Sequence, residues 1–551
     1  MKIPTLRAPQ NKLLLLIFLA LTTSTVVWTL RDQTPPPWDP SDHLRYGYDY
    51  YRLLAHADFS GFLREFFSTR HYYAPLVHLI SALVFLLVGA SKLTGIGVNL
   101  VSLIALLWSV AWISRHLYAQ ESTDPQQSLI QSRWSLATLS ALPALISASY
   151  HFSAWLLHDA FLDFPLMAAV TVSFAFLIRA DDFTIRRNAL AFGVSAGLGM
   201  LVKQTFAFFF VLSALYVVGR VLWNRERKAV LNLALAAVVL VLIASIWYAP
   251  HWQDVLAIYR ENQQAAVNEN EAPLFTFDSN FFYVHALLSM QMQLPLAIIF
   301  VFGLLYSLVR HSKRSLILYL WIISGIGCFA LVANKDVRYT VPVLPAAALL
   351  STCWIGTFGA RSGSASKRTS RVFQVTLISA TAAWSLVSFF NAQWPKPGFG
   401  TAIDTPRYRW MVFARNYYGF DHYPLLESWA VPEIVQSLSG ESPTPVLGVV
   451  VNLPYLNPSS MALYSRLLNN ERAGPPLIDV RWVVEPSMIS RIDECDYILV
   501  RTGLDKAEWV AKIERDVEAL IRENPDKFTR YISFPIPLPD AEAIVYRHEK
   551  R

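Results

Sequence analysis

Long apolar runs recur along this chain, and they limit the folds that it can adopt more than any other feature. The first run, Leu13 to Leu30, is long enough to cross a lipid bilayer as a helix. Of the 551 residues, 54% are hydrophobic and only 16% are charged, which is too apolar for a soluble protein of this size. The sequence therefore predicts a polytopic α-helical membrane protein embedded in a lipid bilayer.

Ten further runs are predicted to span the membrane, which gives about eleven transmembrane helices. Each is an apolar stretch bounded by charged or turn-forming residues. The predicted later spans are 96–115, 134–155, 160–178, 189–202, 206–223, 230–249, 282–309, 315–333, 340–357 and 372–390.

Clusters of basic residues between the runs predict how the chain crosses. Lysine and arginine in short loops favour the cytoplasmic side of a membrane. Lys2, Arg7 and Lys12 therefore place the N-terminus in the cytoplasm. The later basic loops all face the cytoplasm only if the apolar segment Pro75 to Gly89 does not cross. We therefore predict that this segment is a helix half-sunk in the outer leaflet, and that the C-terminus lies outside.

The same clusters account for the net charge of +7, so this charge does not indicate a nucleic-acid partner. The loops are compact and carry no retention or sorting signal. These features favour an integral protein of a bacterial plasma (inner) membrane.

The composition changes after residue 390, which predicts three parts: a transmembrane domain over 1–390 with a first external loop at 31–95, a linker over 391–424, and a domain over 425–551. In the last part, short β-type runs alternate with helical patterns, which indicates an extracytoplasmic α/β domain. The β-type runs are 446–451, 478–484, 496–500 and 543–547, and the helical patterns are 459–470 and 505–523.

The first external loop is long, acidic and aromatic, and such loops at a membrane surface are commonly functional. Asp39 lies between Trp38 and Pro40, just beyond the first span, where a carboxylate can act as a general base. The alternative is a turn that caps a helix starting near Ser41 or Asp42. Asp42 and Asp49 compete with Asp39 for the catalytic role.

Asp159 and Asp163 stand four residues apart at the predicted outer end of a span, so on one helix they share a face. Ionisable groups at such places usually mark a function. The two acids can bind a metal, hold a cationic partner or orient sugar hydroxyls. The alternative is a helix cap followed by a solvated first turn.

Lys203, Arg260, Lys335 and Arg338 lie on the same predicted side and are candidate partners for a phosphate group. Lys203 stands in an otherwise apolar hairpin, where the alternative is a side chain that extends to the interface. His71, Tyr72 and Tyr73 form an aromatic cluster in the external loop. The alternative for that cluster is an interfacial aromatic belt.

Motifs of soluble enzymes are missing from the sequence, which has no glycine-rich phosphate loop, HExxH, CxxC or GxSxG. A nucleotide-sugar donor in the cytoplasm is therefore not indicated. A lipid-borne donor on the outer side is the natural alternative.

Five local patterns, in their order and spacing, resemble the GT-C membrane glycosyltransferases, particularly the branch of protein O-mannosyltransferases and aminoarabinose transferases. The resemblance covers roughly residues 12–390. Its elements are Asp39 after the first span, YYAPLVHLISALVFLLVGAS at 72–91, DFPL with Asp163 (or HDAF with Asp159), GLGMLVKQT with Lys203, and RYTVPVLP with Arg338 and Tyr339.

This resemblance implies a donor sugar carried on a polyprenyl phosphate in the outer leaflet. A hydroxyl or amine of a lipid, glycan or protein acceptor attacks the anomeric carbon while Asp39 removes its proton. Lys203, with Arg260 or Arg338, holds the departing lipid phosphate. A single displacement of this kind inverts the anomeric centre.

The chain departs from this branch directly before Pro75. Some members carry Glu and Lys there for metal and phosphate contacts, whereas this chain has Tyr73 and Ala74. No cofactor is therefore assigned, and a divalent metal stays open. Two rival functions are a transporter or flippase for a lipid or polar solute, and an inactive scaffold. The sequence shows no pair of related halves of the kind that many transporters have.

Overall fold

The structure of the chain, a computed structural model, is mostly helical and carries a β-sheet near its C-terminus. This agrees with the predicted class of a helical protein with a C-terminal α/β part. The residues that the structure describes are 9–68, 73–121, 133–268, 271–310, 315–355, 366–395, 400–413, 423–440, 444–469, 471, 473–503 and 508–550.

The helices before the C-terminal region are numbered in chain order. They are α1 (Pro9–Arg31), α2 (Trp38–Ala55), α3 (Phe59–Phe66), α4 (Leu76–Val88), α5 (Lys92–Gly95), α6 (Gly97–Glu121), α7 (Arg133–Ser149), α8 (His151–Leu157), α9 (Asp163–Arg179), α10 (Arg186–Met200), α11 (Val211–Asn224), α12 (Arg227–Asn268), α13 (Phe277–His285), α14 (Leu294–Val309), α15 (Leu316–Ala330), α16 (Leu344–Thr352) and α17 (Ser366–Gln393). Two 3₁₀ segments, Gln204–Phe209 and Val337–Val343, and a π-helical segment, Ala286–Gln291, lie between them.

Within the described ranges, four helical stretches are long and apolar enough to cross a membrane. These are Pro9–Arg31, Lys92–Leu117, Arg227–Gln264 and Val372–Gln393. Shorter apolar helices occupy several of the other predicted spans, at Leu76–Val88, Ala137–Ser149, Val211–Asn224, Leu294–Val309 and Leu316–Ala330. With a rise of about 1.5 Å per residue, α4 is shorter than a bilayer core of about 30 Å.

Several predicted segments differ from the structure: the span 134–155 is divided between α7 and α8, and the spans 206–223 and 340–357 each begin in a 3₁₀ segment. The spans predicted at 230–249 and 282–309 leave residues 250–281 between them as an outer loop, but α12 continues as far as Asn268 after a kink at Pro250, where His251 leaves helical geometry. No further proline and no glycine interrupts that stretch, so the helix resumes. Residues 282–309 were predicted as one span. The π-helical segment and the positive φ of Gln293, directly before α14, break that span.

The C-terminal region contains a β-hairpin followed by a five-stranded sheet. The hairpin strands, β1 (Thr401–Asp404) and β2 (Arg409–Phe413), lie in the segment predicted as a linker. The remaining elements are α18 (Val431–Leu438), β3 (Val446–Val449), α19 (Pro458–Leu467), β4 (Asp479–Trp482), β5 (Tyr497–Arg501), α20 (Glu508–Glu523), β6 (Phe528–Pro535) and β7 (Glu542–His548).

The strands of the sheet follow the order β4-β3-β5-β7-β6. Strand β3 is parallel to both β4 and β5, whereas β7 is antiparallel to β5 and β6. Helices α18 and α19 pack their apolar side chains on one face of the sheet, and α20 packs on the other. The sequence patterns predicted four of the five strands. They missed β6, whose solvent-facing residues obscure its apolar side.

Helix α2 is enclosed between α4 and α19 of the C-terminal region. Gly47 permits the close approach to α4, because a Cβ at this position would lie 2.7 Å from the Cβ of Ser81. The buried tyrosines of α2, among them Tyr48 and Tyr51, share an apolar cluster with Phe85 of α4 and Leu463 of α19. This packing fixes α2, whose first turn carries Asp39.

Candidate active site

Asp39 lies in the first turn of α2, directly after a run of three prolines. The run, Pro35 to Pro37, is stiff, and Pro37 ends in an extended conformation before the helix begins. No side chain caps this helix end, so the alternative in which Asp39 is a capping residue is wrong. The Oδ2 atom of Asp39 lies 3.3 Å from Nη1 of Arg338, and its side chain is 43% exposed.

Arg338 lies at the start of the 3₁₀ segment Val337–Val343 and faces two carboxylates. Its Nε and Nη2 atoms donate to Oδ2 of Asp336 at 2.9 and 2.6 Å, and its Nη1 atom faces Asp39. The guanidinium also lies over the ring of Phe161, with Cζ 4.2 Å from the ring centroid. All three nitrogens of the guanidinium therefore point at carboxylate oxygens, which fixes its orientation.

Burial opposes charge on Arg338 and Asp336, but their mutual attraction outweighs it. Burial lowers the pKa of Arg338, yet Asp336 and Asp39 raise that pKa well above its usual value. Burial raises the pKa of Asp336, yet Arg338 brings it below its usual value. Both groups are therefore charged in the folded protein at neutral pH.

Asp163 and Lys203 form a second ion pair beside the first. Asp163 is the first residue of α9 and only 3% exposed, and its Oδ1 atom accepts a hydrogen bond from Nζ of Lys203 at 2.8 Å. Lys203 stands in extended backbone between α10 and the 3₁₀ segment Gln204–Phe209. Its ammonium lies 5.3 Å from the centroid of the Tyr339 ring, so the second pair adjoins the segment that carries Arg338.

Asp159 does not share a helix face with Asp163. It lies in the turn between α8 and α9, because α9 begins only at Asp163, with Pro165 in its first turn. Burial raises the pKa of Asp159 to about 7, and the charge of Lys92 only partly offsets this effect. The prediction of one acidic helix face is therefore wrong.

Lys92 belongs to a separate polar cluster near the end of α1. Its ammonium contacts the buried carboxylate of Asp32 and donates to the carbonyl of Thr34 at 2.7 Å. Together with Asp159 and Tyr455, these residues line a cavity of about 20 Å³, which is the size of a water molecule. Asp159 thus lines a small polar cavity and does not belong to the group of Asp39, Asp163, Lys203, Asp336 and Arg338, called the Asp39 cluster below.

His43 lies near Asp39 on α2, and the sequence analysis did not include it among the candidate site residues. It lies one helical turn after Asp39, and its Nδ1 atom is 3.2 Å from Nε2 of His78 on α4. Burial, followed by the charges of Lys203 and Arg338, holds the pKa of His43 well below its usual value. Its spacing of four residues from Asp39 was the available signal, because residues four apart lie on the same face of a helix.

The other predicted site residues take different places. Tyr73 packs edge-on against His43, with ring centroids 4.7 Å apart, whereas His71 and Tyr72 lie outside the described residues. Arg260 is exposed on the second half of α12, and among the described residues the ion pairs of Asp39, Asp163 and Asp336 are made with Arg338 and Lys203 instead. Lys335 donates to the last carbonyls of α15 at Phe329 and Ala330, which is the role of a helix-capping cation.

No group of three or more His, Cys, Asp or Glu side chains suited to a metal ion occurs in the described ranges. The carboxylates near Asp39 are paired with arginine and lysine instead. No metal is therefore assigned to these residues.

The cluster combines three carboxylates with two cations, and its members differ in accessibility. Asp163 and Asp336 are buried or nearly so, at 3% and 13% exposure, whereas Asp39 is 43% exposed. Within the described part of the chain, only Oδ2 of Asp39 has a hydrogen-bond partner, so Oδ1 is open to solvent or substrate. Lys203 has three donors, of which Asp163 takes one. The cluster therefore combines an accessible carboxylate, Asp39, with a cation, Lys203, that has further hydrogen-bond donors.

Comparisons with known proteins identify the fold. No protein-family model and no curated protein sequence matches the chain. Among solved structures, ArnT from Cupriavidus metallidurans in the apo state is 14% identical, with a TM-score of 0.57, over 97% of this chain and 98% of that one. The same protein bound to undecaprenyl phosphate gives 14% identity and a TM-score of 0.55, over 97% of each chain.

A third similar structure is the arabinofuranosyltransferase AftD from Mycobacteria. It is 12% identical, with a TM-score of 0.51, over 98% of this chain but only 40% of AftD. ArnT, an aminoarabinose transferase, and AftD are both GT-C glycosyltransferases. At such low identity the likeness shows the fold, and it confirms the predicted resemblance: this chain has the GT-C fold.

Proposed function

We propose that this chain is an integral-membrane glycosyltransferase that moves a sugar from a polyprenyl-phosphate donor to an acceptor on the outer face of the membrane. The observation that carries the proposal is the accessible carboxylate of Asp39, set beside the paired cations Arg338 and Lys203. The likeness to ArnT over nearly the whole chain supports it, since that protein has been solved with undecaprenyl phosphate bound. The acceptor is a lipid, glycan or protein that carries a hydroxyl or an amine.

In the proposed reaction, the acceptor heteroatom forms a bond to the anomeric carbon and transfers its proton to Asp39. The bond between that carbon and the phosphate oxygen breaks, and its electron pair leaves with the polyprenyl phosphate. One displacement from the side opposite the phosphate inverts the anomeric centre. General-base catalysis of this kind contributes roughly 10²- to 10⁴-fold.

The roles of the two cations follow from their contacts. Arg338 directs all three nitrogens at Asp336 and Asp39, so we assign it to the orientation of the base. Lys203 has donors left over after its bond to Asp163, so we assign it to the phosphate of the donor and of the departing lipid. Stabilisation of charge that develops on the leaving phosphate is commonly a large catalytic contribution. Tyr339 borders that position through its ring.

The proposal includes the topology inferred from the basic clusters. The N-terminus faces the cytoplasm, and the C-terminal α/β region lies outside with the Asp39 loop, in a bacterial plasma membrane. This arrangement places Asp39 where lipid-linked sugars of the outer leaflet are available. The domain limits proposed for this organisation remain 1–390, 391–424 and 425–551.

The experiment that tests the function measures transfer of label from a radiolabelled polyprenyl-phosphate sugar. Purified protein in lipid is mixed with crude membrane extract as acceptor, and wild type is compared with Asp39→Asn. Asp58→Asn is the matched control: Asp58 is a half-buried acid of the same external loop, and an asparagine oxygen can still cap α3 there. We expect at least a 100-fold loss of turnover for Asp39→Asn and none for Asp58→Asn.

Turnover of Asp39→Asn within twofold of wild type would remove Asp39 from the role of base. If the donor binds but no label is transferred with any acceptor fraction, an inactive scaffold becomes the better interpretation. If the donor does not bind at all, the proposed use of a lipid-linked donor is wrong, and a transporter becomes the better interpretation.

A further inference from the structure

The C-terminal region makes a direct contact with the residue that precedes Asp39. The indole nitrogen of Trp38 donates to Oδ1 of Asn452 at 2.7 Å, across 414 positions of sequence. Asn452 lies just beyond the end of β3, which is the central strand of the three parallel ones. Loops at the carboxyl ends of parallel strands are the positions where α/β sheets usually place their functional groups.

Two further contacts join the same helix to α19. The hydroxyl of Ser459 donates to Oδ2 of Asp42 at 2.8 Å, and Nε of Arg466 donates to Oδ1 of Asp49 at 2.7 Å. Trp38, Asp42 and Asp49 follow one another at intervals of four and seven residues, so they form one stripe along α2. The C-terminal region therefore holds α2 along one face, from its first turn to beyond its midpoint.

Asp39 lies about 100° around the helix from this stripe, where Arg338 reaches it. The first turn of α2 is thus held from two sides, by Asn452 through Trp38 and by Arg338 through Asp39 itself. A rotation of that turn would change the distance from Asp39 to Lys203, and so to a donor whose phosphate is held there. The Asn452–Trp38 bond opposes such a rotation, because it ties the first turn to a sheet with its own core.

On the basis of the proposed function, we propose that Asn452 is a positioning residue for Asp39, so that the C-terminal region completes the active site. Asn452 touches no substrate in this proposal. It acts by holding Trp38, and it therefore affects the chemical step more than donor binding, which we assign to Lys203.

A double-mutant cycle tests this proposal. Asn452→Leu removes the acceptor, Trp38→Phe removes the donor while it keeps an aromatic ring, and the third variant combines both changes. We expect each single variant to lower kcat at least 10-fold with the donor KM within about twofold of wild type. The combined variant should lose no more than the worse single one, since both changes break the same bond. Asn452→Asp, which keeps an acceptor oxygen, should retain at least a third of kcat.

Asn524→Leu is the matched control, because Asn524 also makes a side-chain hydrogen bond in the C-terminal region, at 2.9 Å to Leu520, but on the α20 side of the sheet. It should keep wild-type kcat. Additive losses, an unchanged kcat for Asn452→Leu, or a loss that appears only in KM would each overturn the proposal.

Hydrogen exchange of the peptide over α2 provides a readout that does not need activity. Exchange in the first turn should increase in Asn452→Leu and Trp38→Phe, but not in Asn524→Leu. If wild-type protein transfers no sugar, the proposed function is wrong. The exchange experiment still shows whether the bond between Asn452 and Trp38 holds the first turn of α2. Unchanged exchange in Asn452→Leu would show that Asn452 does not hold the helix, which overturns the proposal.

Discussion

The Nη1 atom of Arg338 lies 3.3 Å from Oδ2 of Asp39, although 299 positions separate the two residues. The remaining nitrogens of this guanidinium are directed at Asp336, so Arg338 cannot turn away without losing two further hydrogen bonds. Asp39 is therefore held at a fixed orientation while 43% of its side chain stays exposed. This relationship is the basis of the first prediction.

Arg338→Lys should lower turnover about 10- to 100-fold, because a lysine cannot contact Asp336 and Asp39 with the planar fork of an arginine. The same change should reduce the free energy of unfolding by about 2 kcal/mol, since the partly buried Asp336 loses charge-assisted hydrogen bonds. Steady-state transfer and thermal unfolding in lipid measure the two effects. Arg407→Lys is the control, because its pair with Asp278 is exposed and should contribute little. Wild-type turnover for Arg338→Lys would contradict the orienting role.

Lys203→Met should weaken binding of undecaprenyl phosphate about 10- to 100-fold, which is the loss of a charge-assisted hydrogen bond worth about 1.5–3 kcal/mol. Arg260→Met is the comparison, because Arg260 is exposed on α12, and among the described residues the ion pairs of the cluster are made with Arg338 and Lys203 instead. Titration of the protein with undecaprenyl phosphate measures both affinities. If Arg260→Met weakens binding and Lys203→Met does not, the assignment of the phosphate to Lys203 is wrong.

Asp159 should make the stability of the protein depend on pH. Burial raises the pKa of Asp159 to about 7, against about 4 in an unfolded chain. The folded state therefore binds this proton more tightly, and the resulting stabilisation is complete below pH 4 and is lost as the pH rises to about 7. Asp159→Asn removes this dependence. The Tm of the variant minus that of wild type should increase from pH 5 to pH 7 and then level off.

Melting curves of the two proteins, recorded side by side between pH 5 and pH 8, measure this difference. A difference that stays constant over the whole range would show that Asp159 titrates as it does in an unfolded chain. A difference that decreases with pH would show that Lys92 dominates over burial.

Gly47→Ala should destabilise the contact between α2 and α4, because the added Cβ meets the Cβ of Ser81 at 2.7 Å. Overpacking of this kind costs about 1–3 kcal/mol. Ser81→Gly removes the opposing atom, so the double variant should recover part of the lost Tm. Gly219→Ala is the control, since no atom lies within 4 Å of a Cβ there and the helix should be unchanged or slightly stabilised. If Ser81→Gly restores no stability to Gly47→Ala, the contact with Ser81 is not the cause of the destabilisation.

The sequence by itself determined the class of the protein. Apolar runs of membrane length, four β-type runs and the local patterns around Asp39, Asp163, Lys203 and Arg338 are all properties of neighbouring residues. Hydropathy and periodicity report such properties directly, because they depend only on which side chains follow one another. The GT-C fold followed from a further step, the resemblance of these local patterns to the GT-C glycosyltransferases, and the likeness to ArnT confirms it.

Only the tertiary structure decided which of these groups meet. It paired Asp163 with Lys203 and Asp39 with Arg338, and it set Asp159 apart in the turn before α9. It also placed Asn452 against Trp38. The physical reason is that ion pairs and hydrogen bonds between distant segments depend on how helices pack and where the chain turns. No local pattern in a single sequence records those distances.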